Sequence, residues 1–212
     1  VGMVKIMQNL NPSLYWDWLE KLGINKNLET DLYESTAGQL KSKDLFVNHS
    51  IEPAVASFGQ GFSISPLKLV QLHAALANGG FEVTPHVTYD LKGSLKKYPQ
   101  KQYFSSEVSR TVLEWMERVV ENGSGTGTRI DGYRIAGKTG TSQKAENGKY
   151  SNKKACSFVA VLPVNDPKYI VLVVVDEPAK PYAYGATVAV PVAKEIIESL
   201  IVIEKIQPQT MD

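Results

Sequence analysis

Two apolar runs near the end of this chain limit its fold more than any other feature. Cys156 to Leu162 and Tyr169 to Asp176 are each about one strand long, and Val164-Asn-Asp-Pro-Lys168 separates them. Asn, Asp and Pro at that point favour a turn, so the pair reads as an antiparallel hairpin. A third strand-like run, Tyr133 to Thr141, precedes them across a segment from Ser142 to Lys154 that reads as a mobile loop. A final helix is expected from about Val188 or Pro191 to Ile203, with Val192, Ile196 and Leu200 on one face. The longest strongly apolar run, Ile170 to Val175, is far short of the ~18 residues a membrane-spanning helix needs.

The first third reads as helix and loop. The chain opens at Val1 inside an amphipathic pattern, with Val1, Val4 and Met7 at helical spacing, which suggests a fragment of a longer protein. Its N-terminus lacks a signal-peptide layout. Pro12 and Ser13 lead into a helix with Leu14, Trp18, Leu19 and Leu22 on one face and Gly23 as its natural stop. Ser65 and Pro66 open a second helix, which runs to Asn78-Gly79-Gly80. Ser105 or Ser106 caps a third, whose Val108, Val112, Trp115, Met116 and Val119 form a stripe. Trp16, Trp18 and Trp115 read as packing aromatics. There is no repeat, low-complexity tract or evident domain boundary.

Composition removes several function classes. With 23 basic and 22 acidic side chains, the net charge of +1 gives no electrostatic drive towards nucleic acid. The single Cys156 excludes an internal disulfide and a multi-cysteine zinc site. His49, His73 and His86 lack metal-ligand spacing, and no G-x-S-x-G elbow occurs.

Gly132-Tyr-Arg-Ile-Ala-Gly137-Lys138-Thr139 matches the P-loop pattern, and Ile170–Val175 with Asp176-Glu177 resembles a Walker B strand. A P-loop needs a strand before it and a helix beginning at the lysine. Here Tyr133-Arg-Ile-Ala136 alternates like a strand, and Gly140 opposes a helix. The same residues contain Lys138-Thr139-Gly140-Thr141. K-T-G belongs to the serine acyl-transferases that react with penicillin. In a strand, Lys138 and Gly140 face one way and Thr139 and Thr141 the other, and Gly140 lets a substrate backbone lie close. On the triplet alone, an ordinary edge strand is as good an explanation. Such enzymes also need an S-x-x-K serine. Ser65–Lys68, Ser94–Lys97 and Ser151–Lys154 match, but a chain this rich in Ser and Lys produces such matches by chance, and Ser65 reads as a helix cap. No S-x-N occurs. Asp176 and Glu177 read as a solvated strand end, and Tyr182, Tyr184 and Gly185 as either groove lining or surface loop.

Taken together, FGQGFSISPLKLVQLHAALANGG (58–80), GSGTGTRIDGYRIAGKTGTSQK (123–144) and the stretch from Ser157 through YGATVAVPVAKEI to Ile196 resemble the C-terminal half of a class B penicillin-binding protein. These are the peptidoglycan D,D-transpeptidases of cell division and elongation. The resemblance implies the α/β (α+β) penicillin-recognising, β-lactamase-like fold. Residues 1–212 would be the C-terminal part of the transpeptidase domain, and S-x-x-K and S-x-N would lie upstream of Val1. Of the family's five-stranded sheet, only the last three strands are expected, near 132–141, 155–163 and 168–176, leaving the 168–176 strand with an exposed apolar edge. The family chemistry is a two-step acyl transfer through an upstream serine, with no cofactor. Lys138 would supply positive charge, Thr139 and Thr141 would hold the donor carboxylate, Gly140 would let it approach, and the Thr141 N–H would serve the oxyanion hole. The implied ligands are D-Ala-D-Ala stem peptides and β-lactams. The implied partners are divisome or elongasome membrane proteins. The implied location is the extracytoplasmic face of the bacterial membrane, the periplasm, through an N-terminal anchor. This chain by itself is then expected to be inactive. Three classes stay open: a transpeptidase fragment (with β-lactamases its near neighbours in chemistry), a non-catalytic penicillin-sensing or scaffolding module, and a P-loop hydrolase.

Overall fold

The computed structural model describes residues 1–32, 35–88, 101–146, 148–179 and 182–208. The chain divides into two units, Val1–Leu72 with Val83–Gln100, and His73–Glu82 with Lys101–Asp212.

The first unit is helical: α1 (Gly2–Met7), α2 (Pro12–Lys21), α3 (Lys43–Asn48), α4 (Ile51–Ala56) and the first turns of α5 (Pro66–Ala77). Asn11 caps α2, its Oδ1 accepting from Ser13 N–H at 2.9 Å, and Pro12 takes the first position, where no N–H is needed. Gly23, at φ +72°, ends the helix as expected. Its N–H reaches Glu20 O at 2.8 Å, and Ile24 N–H reaches Leu19 O at 3.3 Å. The buried side of α2 is Tyr15, Trp16, Leu19 and Leu22, against Ile24, Phe46 and Ala56. Leu14 and Trp18 are exposed, which corrects the expected stripe. The cause is tertiary: Phe46 meets Tyr15 edge-on at 5.6 Å, and Trp16 Nε1 donates to Lys41 O at 2.8 Å. Farther along, the Asp31 carboxylate accepts from Val87 and Thr88 N–H, each at 2.9 Å, and from the Thr88 hydroxyl. The Thr88 hydroxyl and then the Val87 N–H hold this carboxyl down at about 2.

In the second unit, β1 (Ala136–Glu146), β2 (Lys149–Leu162) and β3 (Tyr169–Asp176) form an antiparallel sheet in the order β1-β2-β3. Because side chains alternate across a strand, β2 feeds two cores. Phe158, Ala160 and Leu162 pack with Val190, Ala193 and Ile197 of α7 (Val190–Ile203). Val159 and Val161 pack with Leu113 and Met116 of α6 (Ser106–Asn122). A strand covered on both faces must be apolar along its length, which explains the near-continuous run.

The hairpin and the position of β3 follow the sequence reading, and among the described residues no strand covers the outer edge of β3. Three expectations need correction. Residues 142–154 are not an unstructured loop: β1 and β2 continue as a paired arm to Glu146↔Lys149, with a register shift between Gln143 and Ala145. Lys144 bridges to Asp176 and Glu177, and Lys153 to Glu146, so ion pairs hold an arm that has no apolar core. The buried stripe of α6 is Ser109, Leu113, Met116, Glu117 and Val120, and Trp115 is 62% exposed. The buried stripe of α7 is Val190, Ala193 and Ile197, with Val192 and Ile196 exposed. On α7 two apolar stripes lie side by side, and on α6 the inward stripe contains Ser109 and Glu117, so the period alone could not select the inward face of either.

Candidate active site

The site residues read from the sequence lie on β1. The chain enters that strand through a tight turn: Gly132, at φ +84°, lets Ile130 and Tyr133 bridge. Arg134 is then fixed by a two-pronged bond to Glu117 on α6, Nε to Oε1 and Nη2 to Oε2, both at 2.7 Å. Its carbonyl accepts Val164 N–H at 3.2 Å, tying the strand entry to the turn between β2 and β3. Lys138 lies within the strand opposite Val159, not at a helix start. That removes the geometry a phosphate-binding loop requires.

The alternation expected for the KTGT segment is observed in the pairing. Lys138 and Gly140 face Val159 and Ser157, while Thr139 and Thr141 face Phe158 and Cys156. Lys138 is exposed, and its Nζ donates to Thr139 O at 2.8 Å. The Thr139 hydroxyl is 2.7 Å from the Ser124 hydroxyl. The Thr141 hydroxyl accepts Gly185 N–H at 3.0 Å and neighbours the Cys156 thiol. Burial pushes that thiol up from its ordinary range, so Cys156 is a neutral packing group beneath the strand. A Cβ at Gly140 would collide with Ser157 Oγ. The second wall is the segment before α7. Tyr184 is 49% exposed, with Lys154 Nζ 4.5 Å from its ring centroid and 3.4 Å from Ala183 O. No strand covers the outer edge of β1 among the described residues, so an ammonium group and several hydroxyls gather along an open strand edge. This is donor chemistry suited to a carboxylate on an extended substrate.

The other serine–lysine matches do not form such a site. The Ser65 hydroxyl accepts Lys68 N–H at 3.2 Å, the bond of a helix cap. Ser151 and Lys154 flank the bulge in β2 and have separate partners: the Ser151 hydroxyl donates to Lys144 O at 3.1 Å, and Lys154 Nζ donates to Ala183 O at 3.4 Å. Ser94 and Lys97 lie outside the described residues. Two neighbours of the site were not read as such from the sequence: Ser124, signalled only by its place in the Gly123–Thr128 loop, and Lys154, singled out there only as the lysine of a chance S-x-x-K match. Among the described residues, no cluster of three or more His, Cys, Asp and Glu could hold a metal ion.

Comparison with known proteins agrees with this geometry. The family described as penicillin binding protein transpeptidase domain matches residues 1–198. A peptidoglycan D,D-transpeptidase FtsI homolog of Mesostigma viride is 44% identical, over 98% of this chain and 39% of that protein. Stage V sporulation protein D of Bacillus subtilis is 32% identical, over 92% of this chain and 31% of that protein. The transpeptidase domain of Burkholderia pseudomallei penicillin-binding protein 3 superposes with a TM-score of 0.85 at 27% identity, over 99% of this chain and 62% of that one. The chain thus spans well under half the length of these curated relatives. With its hairpin, its strand-borne KTGT and nearly its whole length matched, the chain belongs to the penicillin-binding-protein transpeptidase family.

Proposed function

We propose that the chain is the C-terminal part of a peptidoglycan D,D-transpeptidase domain and forms the KTGT wall of its active site. The observation that carries this reading is the segment's setting: Lys138, Thr139 and Thr141 stand on a strand whose outer edge no other strand covers among the described residues. In the complete protein, a serine supplied by another segment attacks the D-Ala-D-Ala bond of a stem peptide. The acyl-enzyme passes its acyl group to an amine of a second stem peptide, and β-lactams trap the serine by mimicking the donor. Lys138 contributes a positive field, and the Thr139 and Thr141 hydroxyls hold the donor's terminal carboxylate. Gly140 admits the substrate backbone, and the Thr141 N–H is one oxyanion donor. The chemistry uses no metal or cofactor. Because peptidoglycan is assembled outside the cytoplasm, the site works at the extracytoplasmic face of the membrane, beside membrane proteins of division or elongation.

The test is acylation of the full-length protein by a fluorescent penicillin. A folded Lys138→Ala variant is expected to react at least ~100-fold more slowly, the scale of one lost electrostatic group in an active site. Reaction of that variant at the parental rate would refute the proposal.

A further inference from the structure

The contact between Gly185 and the KTGT strand does more than close the fold. Gly185 opens a continuous helical segment: a wide turn over Gly185–Ala189 that runs into α7. First-turn N–H groups have no acceptor within their own helix and carry its positive end. The Gly185 N–H is spent on the Thr141 hydroxyl at 3.0 Å. Tyr184 caps the same turn, with Tyr184 N–H on Thr187 Oγ1 at 3.0 Å and Thr187 N–H on Tyr184 O at 2.9 Å, so the donor's direction is fixed. On the far side, Lys154 holds Ala183 O and the Tyr184 ring.

The approach requires glycine. A Cβ at Gly185 would lie 2.5 Å from Ser157 O, 2.6 Å from Gly140 O and 3.2 Å from Gly140 N. All three are backbone atoms of the paired strands β1 and β2, which cannot recede without breaking the sheet. Any side chain there lifts the segment off the strand.

We infer that Gly185 is a positioning residue that makes the Thr141 hydroxyl a directed donor to a substrate carboxylate. With its oxygen accepting from Gly185, the hydroxyl's one hydrogen is polarised by the bond behind it, because hydrogen bonds in a chain strengthen one another, and a carboxylate at the strand edge is a stronger acceptor for it than the neutral Cys156 thiol alongside. The positive end of a helix is thereby relayed through one side chain to an anion the helix does not itself touch. This rests on the transpeptidase reading given above.

The test compares, on the full-length protein, acylation by benzylpenicillin and by its methyl ester, which lacks the negative charge. In the parent the acid reacts faster. Gly185→Ala is expected to slow the acid about 10–100-fold, the range for losing a hydrogen bond to a charged group, while the ester rate barely moves, so the preference collapses. Thr141→Val should collapse it too, and the double variant should be no worse than Thr141→Val alone. Equal slowing of acid and ester by Gly185→Ala, or an unchanged preference, would overturn the inference while leaving the transpeptidase reading standing. That reading falls only with Lys138→Ala reacting at the parental rate. If Gly185→Ala does not fold, hydrogen exchange over residues 182–188 decides. The Gly185 amide should exchange faster in folded Thr141→Val than in Thr141→Ser, and equal protection would overturn the link.

Discussion

Gly137, one residue before the KTGT segment, offers the sharpest test of how this sheet is packed. A methyl group added there would lie 2.9 Å from Phe158 Cε2, closer still to Cζ, and 3.1 Å from Val159 O. Ordinary carbon contacts lie near ~3.5–4.0 Å, so the ring would have to retreat by more than about an ångström. Phe158 is fully buried between Val120, Ile135 and the α7 face, and has nowhere to go. Two effects oppose each other. Replacing Gly by Ala lowers the entropy of the unfolded chain, worth about 0.4–1 kcal/mol in favour of the variant. Overpacking a filled core costs about 1–3 kcal/mol, and a clash this severe belongs near the top of that range. The net expectation is a loss of about 2 kcal/mol, a fall of roughly 4–8 °C in melting temperature for a domain of this size. Phe158→Leu shortens the side chain that is struck. By itself it should destabilise by about 1–1.5 kcal/mol through the space it vacates, but combined with Gly137→Ala it gives the new methyl room. Urea unfolding of the four proteins measures the coupling, expected at about 1–2 kcal/mol of rescue. Effects that add within ~0.5 kcal/mol, or a Gly137→Ala variant as stable as the parent, would show that Phe158 is not the wall described here.

Two further outcomes are expected. Glu117→Gln leaves Arg134 without its two-pronged partner; with side chains 11% and 37% exposed, the pair lies between surface and buried ion pairs, and a loss of about 2 kcal/mol should appear as a melting point lower by roughly 4–8 °C. A shift under about 1 °C would show that the pair does not hold the strand entry. The Asp31 carboxyl titrates lower folded than unfolded, so its contribution is complete above its ordinary value of 3.8 and disappears as pH falls through about 2. The melting-temperature gap between the parent and Asp31→Ala should therefore be widest at neutral pH and narrow steadily below pH 4; a gap independent of pH would contradict the Asp31–Thr88 geometry.

Much of the architecture was legible because its signals are local. The Val164–Lys168 turn between apolar runs fixed the hairpin, Ser65 with Pro66 and Asn78-Gly79-Gly80 bounded α5, and Gly23 marked the end of α2. The KTGT segment and its alternation could be read the same way, since a strand's two faces follow from counting. The face a helix buries could not. α7 presents two adjacent apolar stripes and α6 buries a stripe that is partly polar, so the choice fell to their partners: Glu117 can turn inward only because Arg134, 17 residues away, meets it. The arm over 142–154 was equally hidden, because a polar alternation looks like loop until ion pairs from β3 cross it. Sequence alone thus determined where the chain turns, caps and alternates, and placed the lysine and hydroxyls on one strand. Only the folded chain decided what those groups touch, because Ser124 and Gly185 reach the KTGT strand, and Lys154 reaches the Tyr184 ring beside it, through contacts that no periodicity records.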